Sequence, residues 1–348
     1  MRLSSVEVIP YALPFKEPYI TARGVLERRE MVLLRVRDQD GVFGLGEAVP
    51  LALRGGAGVE QVVRELEGWA QAQVSEGLSA PARCAVETAL VDLRGRRAER
   101  SAPAEEPTKA VPCNATLVAG SPEQVALLAL RWAEDGFTTF KLKLGAESTR
   151  NIPQGRFSRS RDFETVAAVR EAVGEEARIR VDVNEAWDLE TAKRTLAELE
   201  PLGIELAEQP VAGLEAMAEL ATNASIPLAA DESVASLEDA ERAVALEACE
   251  FTGIKLSKVG GPAEALAIAG ILPAYVTSAL DGPVGIAAAA QVAQKVGGDL
   301  AHGLATQRLF AETIASVECE VRDGMLHLPP GPGLGVEIDE DALQAHRI

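Results

Sequence analysis

Phe137-Thr-Thr-Phe-Lys-Leu-Lys-Leu144 alternates in the manner of a strand, and a period of two puts Lys141 and Lys143 on one face. Downstream, three short apolar runs each close on an acid: Ile179-Arg-Val-Asp182, Ile204-Glu-Leu-Ala-Glu208 and Ile226-Pro-Leu-Ala-Ala-Asp231. Each carboxylate therefore falls at the C-terminal end of a predicted strand. The gaps of 26 and 23 residues between them are each about one strand–helix–strand unit. In a parallel barrel such positions meet on one rim. Three facing carboxylates repel strongly unless a hard divalent cation sits between them, and oxygen-only ligands suit Mg²⁺. The stretch predicts a (β/α)8-type barrel with Asp182, Glu208 and Asp231 as ligands of Mg²⁺ and lysines beside it.

Working outward, strand and helix patterns alternate from Val111 onward. Strands are predicted at 111–118, 137–144, 178–183, 204–208, 226–231, 252–256, 274–278 and 300–303. Helices are predicted near 122–135, 161–174, 189–200, 213–222, 236–247, 262–270 and 284–296, with an eighth near 307–316. A doubly wound open sheet would not bring the ends of its second to sixth strands round one pocket, whereas closure does. Before this repeat, 3–14, 29–37 and 42–48 read as antiparallel strands, and 58–76 and 80–97 as helices. Phe15-Lys-Glu-Pro-Tyr-Ile-Thr-Ala-Arg-Gly24 has no hydrophobic period and reads as a loop, either an ordinary connection or a lid. Its Thr21 and Arg23 are candidate substrate contacts, as are Ser278 and Asp281 near the end of the seventh strand.

The run 101–108, rich in Pro, Ala and Glu, reads as a linker. The chain thus divides into an α+β capping domain, 1–108 completed by about 321–348, and a barrel over 109–320. The polar segment 147–161 carries four arginines and reads as a surface insertion or as an arginine source for an anionic substrate.

The totals limit the function. A chain of 348 residues holds a barrel and a smaller lobe. Its net charge of −19 argues against a nucleic-acid partner, which requires a basic face. Cys84, Cys113, Cys249 and Cys319 are scattered without CxxC spacing, as free thiols of a reducing cytoplasm would be. The N-terminus lacks the apolar core of a signal peptide, and no run of about 18 uncharged apolar residues occurs. The expectation is a cytoplasmic protein without membrane or nucleic-acid partners that takes a small-molecule carboxylate and could form a homo-oligomer.

Surface strands often carry a Lys-x-Lys pair, and acids at strand ends are frequent helix N-caps. The combination is more specific. Lys255, in Gly253-Ile-Lys255-Leu-Ser-Lys-Val-Gly-Gly261, ends the sixth strand and faces Lys143 across the predicted mouth. A proton α to a carboxylate is too weakly acidic for an unaided amine. A divalent cation neutralises the charge that builds up in an enediolate and lowers the barrier by several kcal/mol. A lysine near that cation and beside a second ammonium, which Lys141 two residues away supplies, is expected to have a depressed pKa, so that the Lys143 amine is available near neutral pH.

Lys141-Leu-Lys143, Val181-Asp-Val-Asn184, Glu208-Gln-Pro210, Asp231-Glu-Ser233 and Lys255-Leu-Ser-Lys-Val-Gly-Gly261 together resemble the muconate-lactonising subgroup of the enolase superfamily, over essentially the whole chain. The resemblance implies that Asp182, Glu208 and Asp231 ligate Mg²⁺, that Lys143 and Lys255 flank the substrate, and that Lys141, Asn184 and Glu232 support them. His302, His327 and His346 do not supply the catalytic histidine of the mandelate racemase branch. Within the subgroup, Val276-Thr-Ser-Ala-Leu-Asp-Gly-Pro-Val-Gly-Ile286 and His302-Gly-Leu-Ala-Thr-Gln-Arg-Leu-Phe310 look most like o-succinylbenzoate synthases of menaquinone biosynthesis, which are lyases. In such an enzyme Lys143 would remove the α-proton and help expel a hydroxyl, and Lys255 would stabilise the enediolate by its charge. The alternative is an isomerase, either an N-succinylamino-acid racemase or dipeptide epimerase, or a muconate-type cycloisomerase. Dipeptide epimerases usually carry an Asp-x-Asp on the eighth strand, where this chain reads His302-Gly-Leu-Ala305. A non-catalytic binding barrel is disfavoured by the intact lysines and acids.

Overall fold

The structure is a computed structural model that describes residues 2–21, 24–52, 55–98, 110–118, 120–145 and 161–348, with the backbone alone at 20, 21 and 24. Thr21 and Arg23 as substrate contacts, the 101–108 linker and nearly all of the 147–161 segment lie outside the described side chains. Among the described residues no helix is long and apolar enough to cross a membrane.

Three antiparallel strands open the chain: β1 (Leu3–Thr21), β2 (Gly24–Asp38) and β3 (Phe43–Ala48). Alternation along β2 sorts its side chains to two cores. Val32, Leu34 and Val36 face α1 (Val59–Ala72) and α2 (Ala80–Arg97), while Met31 and Leu33 join the main core of the molecule. The sheet is therefore covered on both faces. Helix α2 lies directly on β3, because a Cβ on Gly44 or Gly46 would overlap the backbone of Ala89 or Ala85.

The 15–24 loop expectation is corrected in part. After an irregularity between Pro14 and Tyr19, the hairpin continues with Tyr19 opposite Leu26 and Thr21 opposite Gly24. Aromatic stacking rather than alternation holds this stretch. Phe15 stacks on Tyr19 at 5.5 Å and on Phe310 at 4.9 Å.

After a short strand β4 (Val111–Pro112), the second half is a curled parallel sheet in the order β5 (Ala115–Leu117), β6 (Thr139–Lys143), β7 (Arg178–Asp182), β8 (Ile204–Glu208), β9 (Leu228–Ala230), β10 (Phe251–Ile254) and β11 (Ala274–Val276). The helices between successive strands are α3 (Pro122–Glu134), α4 (Arg161–Val173), α5 (Leu189–Leu199), α6 (Leu214–Ala221), α7 (Leu237–Ala245), then α8 (Leu256–Val259) and α9 (Pro262–Ala269), with α10 (Pro283–Val296) after β11. Local sequence starts them well. Ser121 and Gln124 form a capping box on α3, and Asp188 and Ser236 cap α5 and α7.

The predicted eighth strand is reduced to two bridging residues. His302 pairs with Cys113 beside β5, and Gly303 with Thr277 beside β11, so the 302–303 segment is bonded to both edges of the sheet. The Asn114 N–H donates to His302 O at 2.9 Å, and the Ser278 N–H donates to Gly303 O at 3.0 Å. The predicted eighth helix is instead a 3-10 turn, Ala305–Leu309, followed by an extended segment. Phe310 forms a bridge with Phe15, and the Ala311 N–H donates to Pro14 O at 2.9 Å, which draws the chain out of helical geometry onto β1. The tail also meets β1, where the Ile348 N–H donates to Pro10 O at 3.2 Å.

A buried acidic pair joins β3 to the turn before α10. The Gly282 N–H donates to Glu47 Oε1 at 2.6 Å and the Tyr11 hydroxyl to Oε2 at 2.9 Å. Burial, then the nearby Asp281 carboxylate, push the Glu47 carboxyl up to about 7. The folded state then holds a proton on Glu47 that the unfolded chain releases near 4.5, so stability is greatest below that pH and falls as pH rises through about 7.

Two predictions follow from these contacts. Denaturant titrations of Glu47→Gln across this pH window should show a flatter stability profile than the wild type, with a difference on the order of 3 kcal/mol at most. Gly46→Ala, which forces α2 off β3, should cost about 1–3 kcal/mol in the same measurement at fixed pH.

Candidate active site

Strand register accounts for the convergence of the charged residues. Lys143 of β6 lies opposite Asp182 of β7, and Asp182 lies opposite Glu208 of β8. Asp231 follows β9 directly, and Lys255 follows β10. Five strand ends therefore deliver these side chains to one rim. Backbone strain marks the same level, since Asn184 (φ 49°), Glu185 (φ 65°) and Gln209 (φ 41°) adopt left-handed conformations just past β7 and β8.

The carboxylates of Asp182, Glu208 and Asp231 are fully buried, and ammonium groups surround them. Lys141 Nζ donates to Glu208 at 3.2 Å (Oε1) and 3.0 Å (Oε2) and lies 3.2 Å from Asp182 Oδ2. Lys143 pairs with Asp182 and donates to Asn184 Oδ1 at 2.9 Å. At the other end of the five-strand run from β6 to β10, Lys255 pairs with Asp231 Oδ2. Asn184 in turn donates to Glu232 Oε1 at 3.0 Å, so all three predicted supporting residues, Lys141, Asn184 and Glu232, join the network.

Burial, the largest single influence, pulls the Lys143 ammonium down and Lys141 adds to that, but Asp182 together with Tyr19 and Glu208 pushes it up, and the net shift is upward. Lys141 behaves in the same way, with Glu208 and Asp182 overriding burial. The Asp182 carboxyl is held well below its ordinary value by Lys143, Lys141 and Lys255 despite its burial. Glu208 is pushed up by burial and by its Asp182 neighbour.

Among the described residues no three acidic or metal-binding side chains form a ready-made cage, because the lysines stand between the carboxylates. The donor set nevertheless fits a hard divalent cation. It consists of oxygen alone, it is buried, and Asp182 Oδ1 has no hydrogen-bond partner among the described residues. A cation here would also relieve the like-charge pressure on Glu208.

Ser278 and Asp281 lie in the turn just past β11. The Ser278 hydroxyl and the Ala279 N–H donate to Asp281 Oδ2 at 2.7 and 2.6 Å, so these two candidates bond to each other at the start of α10. His302 is buried and lowered to about 4 by burial and the nearby Arg180, and its Nδ1 accepts the Val276 N–H at 2.9 Å. It is a neutral structural group.

Three participants escaped the sequence reading of the site. Gln209 Oε1 accepts the backbone N–H groups of Asp231 and Ser233 at 2.9 and 3.1 Å and so ties the end of β8 to that of β9. Lys258, one helical turn from Lys255, donates to Asp231 Oδ1 at 2.9 Å. The Tyr275 hydroxyl donates to Glu208 Oε2 at 2.5 Å, and burial together with Glu208 raises its pKa well above the usual phenol value. The i, i+3 spacing of Lys255 and Lys258 was a usable signal for one of them. For Tyr275 the parity of the seventh strand was the only signal.

Comparison with known proteins agrees with this arrangement. An o-succinylbenzoate synthase from Thermobifida fusca is 38% identical over 203 residues, 58% of this chain and 61% of that one. A D-Ala-D/L-Ala epimerase from Cytophaga hutchinsonii is 28% identical over 370 residues, 99% of this chain and 98% of that one. The crystal structure of 2-chloromuconate cycloisomerase from Rhodococcus opacus 1CP superposes with a TM-score of 0.89 at 28% identity and full coverage of both chains. Residues 124–342 match the family described as enolase C-terminal domain-like. With that match over more than half its length, the chain belongs to the enolase superfamily.

Proposed function

We propose that this chain is a Mg²⁺-dependent isomerase that moves the proton α to the carboxylate of a small substrate, with Lys143 and Lys255 as its two proton-handling groups. The observation that carries this reading is a pair of amines from two separate strand ends, β6 and β10, each paired with a different one of three buried carboxylates. Asp182, Glu208 and Asp231 would hold the cation, which when bound supplies positive charge to the substrate carboxylate as its α-carbon becomes acidic. Lys143 takes the proton, and Lys141 and Asn184 fix its position. Lys255 delivers a proton, or charge alone, from the opposite side. The two amines share one environment of acids, so the direction of transfer depends on where the substrate sits.

The sequence analysis put dehydration first. The order is reversed here because the cycloisomerase and the epimerase match this chain across nearly its full length, whereas the synthase match spans 58% of it. Dehydration to o-succinylbenzoate stays as the second reading on two observations: the 38% identity to that relative and the Val276–Ile286 run. Among isomerisations, the lack of an acidic pair at 302–305 favours a cycloisomerase or an N-succinylamino-acid racemase over a dipeptide epimerase.

We further read 109–320 as a closed (β/α)8-type barrel whose eighth position is the 302–303 segment. Residues 1–108 with 321–348 then form its cap, a division supported by the tail's bonds to β1.

Incubation in D₂O with Mg²⁺ and N-succinylamino acids, muconates or the cyclohexadiene precursor of o-succinylbenzoate tests the chemistry. The expected result is α-deuteration or lactone formation without loss of water. Loss of water from the cyclohexadiene alone would favour the second reading, and no exchange or turnover with any of them would refute both. Lys143→Ala should lower turnover by about 10²–10⁴-fold, and substantial residual activity would place the base elsewhere. Asp231→Asn should weaken Mg²⁺ binding by more than about tenfold in a calorimetric titration.

A further inference from the structure

The inner face of the curled sheet carries a second layer of polar side chains one step below the rim. Counting back two residues from the rim positions, Arg180 lies below Asp182, and Gly253 lies below Lys255. Tyr275 is the register partner of Gly253 and belongs to the same layer. Its side chain is fully buried, in a small cluster with Leu206 and Ala229 that is separate from the main core.

This tyrosine is unusually well fixed. A Cβ on Gly253 would lie 3.2 Å from the Tyr275 hydroxyl and 3.3 Å from the ring carbon that bears it, so the bare backbone of β10 makes room for the ring. The Arg180 guanidinium lies 5.1 Å from the ring centroid. Arg180 is itself held by an ion pair to Glu205 and by donation to Ala301 O at 2.6 Å. The hydroxyl so positioned reaches Glu208 Oε2 at 2.5 Å. A phenylalanine would fill the same space without a polar group to satisfy, so the hydroxyl needs a reason to be there.

We propose that Tyr275 is the positioning residue for Glu208: a neutral donor seated beneath the carboxylate that keeps it oriented toward a divalent cation. The proposal rests on the reading of Asp182, Glu208 and Asp231 as cation ligands. Lys141 also donates to Glu208, but it is shared with Asp182 and carries a charge that repels an incoming dication. A phenol hydroxyl adds no charge, so its hold on Glu208 is compatible with the cation. Gly253 and Arg180 serve this role by fixing the ring.

Calorimetric titration of Mg²⁺ into the full-length protein tests this without recourse to activity. Tyr275→Phe should weaken Mg²⁺ binding by about 10–100-fold, the range for groups that orient a metal ligand. Gly253→Ala should weaken it in the Tyr275 protein and add nothing in the Tyr275→Phe background, since both changes act through one hydroxyl. An Mg²⁺ affinity in Tyr275→Phe indistinguishable from wild type would overturn the proposal, even if thermal stability fell, and so would additive effects of the two changes. Glu208→Gln separates the two levels. If it leaves Mg²⁺ affinity unchanged, the ligand reading itself fails. If it abolishes binding while Tyr275→Phe does not weaken it, only the role of Tyr275 fails.

Discussion

Ammonium groups and carboxylates buried together on one rim are the constraint that the rest of the chain serves. Lys141, Lys143, Lys255 and Lys258 contact Asp182, Glu208 and Asp231 where water is largely excluded. Isolated, any of these charges would be prohibitively costly in such a place. They persist because parallel register sets opposite charges side by side, and because Asn184 accepts from Lys143, Tyr275 donates to Glu208 and Gln209 holds the Asp231 backbone. The left-handed backbone at Asn184 and Gln209 is strain that this arrangement must hold in place.

That balance also accounts for the high proton affinity of Lys143. The acids that would gather a dication also attract the ammonium groups, and that attraction raises the proton affinity of Lys143 against its burial. Activating Lys143 therefore requires a change in the charge of its surroundings.

Much of this was legible in the sequence because strand period and strand-end position are local properties. Lys143, Asp182, Glu208, Asp231 and Lys255 each end an apolar run, and the structure brings them to one rim as the repeat spacing implies. What escaped notice depends on pairing between distant segments. The eighth unit was misread because Phe310 answers to Phe15, nearly 300 residues away in sequence, rather than to its own neighbours. The stretch around Tyr19 was read as a loop for the same reason. Tyr275 carries no motif, and its meaning emerges only when Gly253 is seen opposite.

The double coverage of β2 bears on how the molecule could be divided. Val32, Leu34 and Val36 are shielded by helices of the N-terminal region, but Met31 and Leu33 are shielded by the other half of the chain. A fragment ending near residue 98 would expose one greasy flank of its sheet, and its complement would lose the wall against which α10 rests. Cleavage of the connecting segment should therefore leave two pieces that stay bound to each other, and neither piece is expected to be soluble when produced alone.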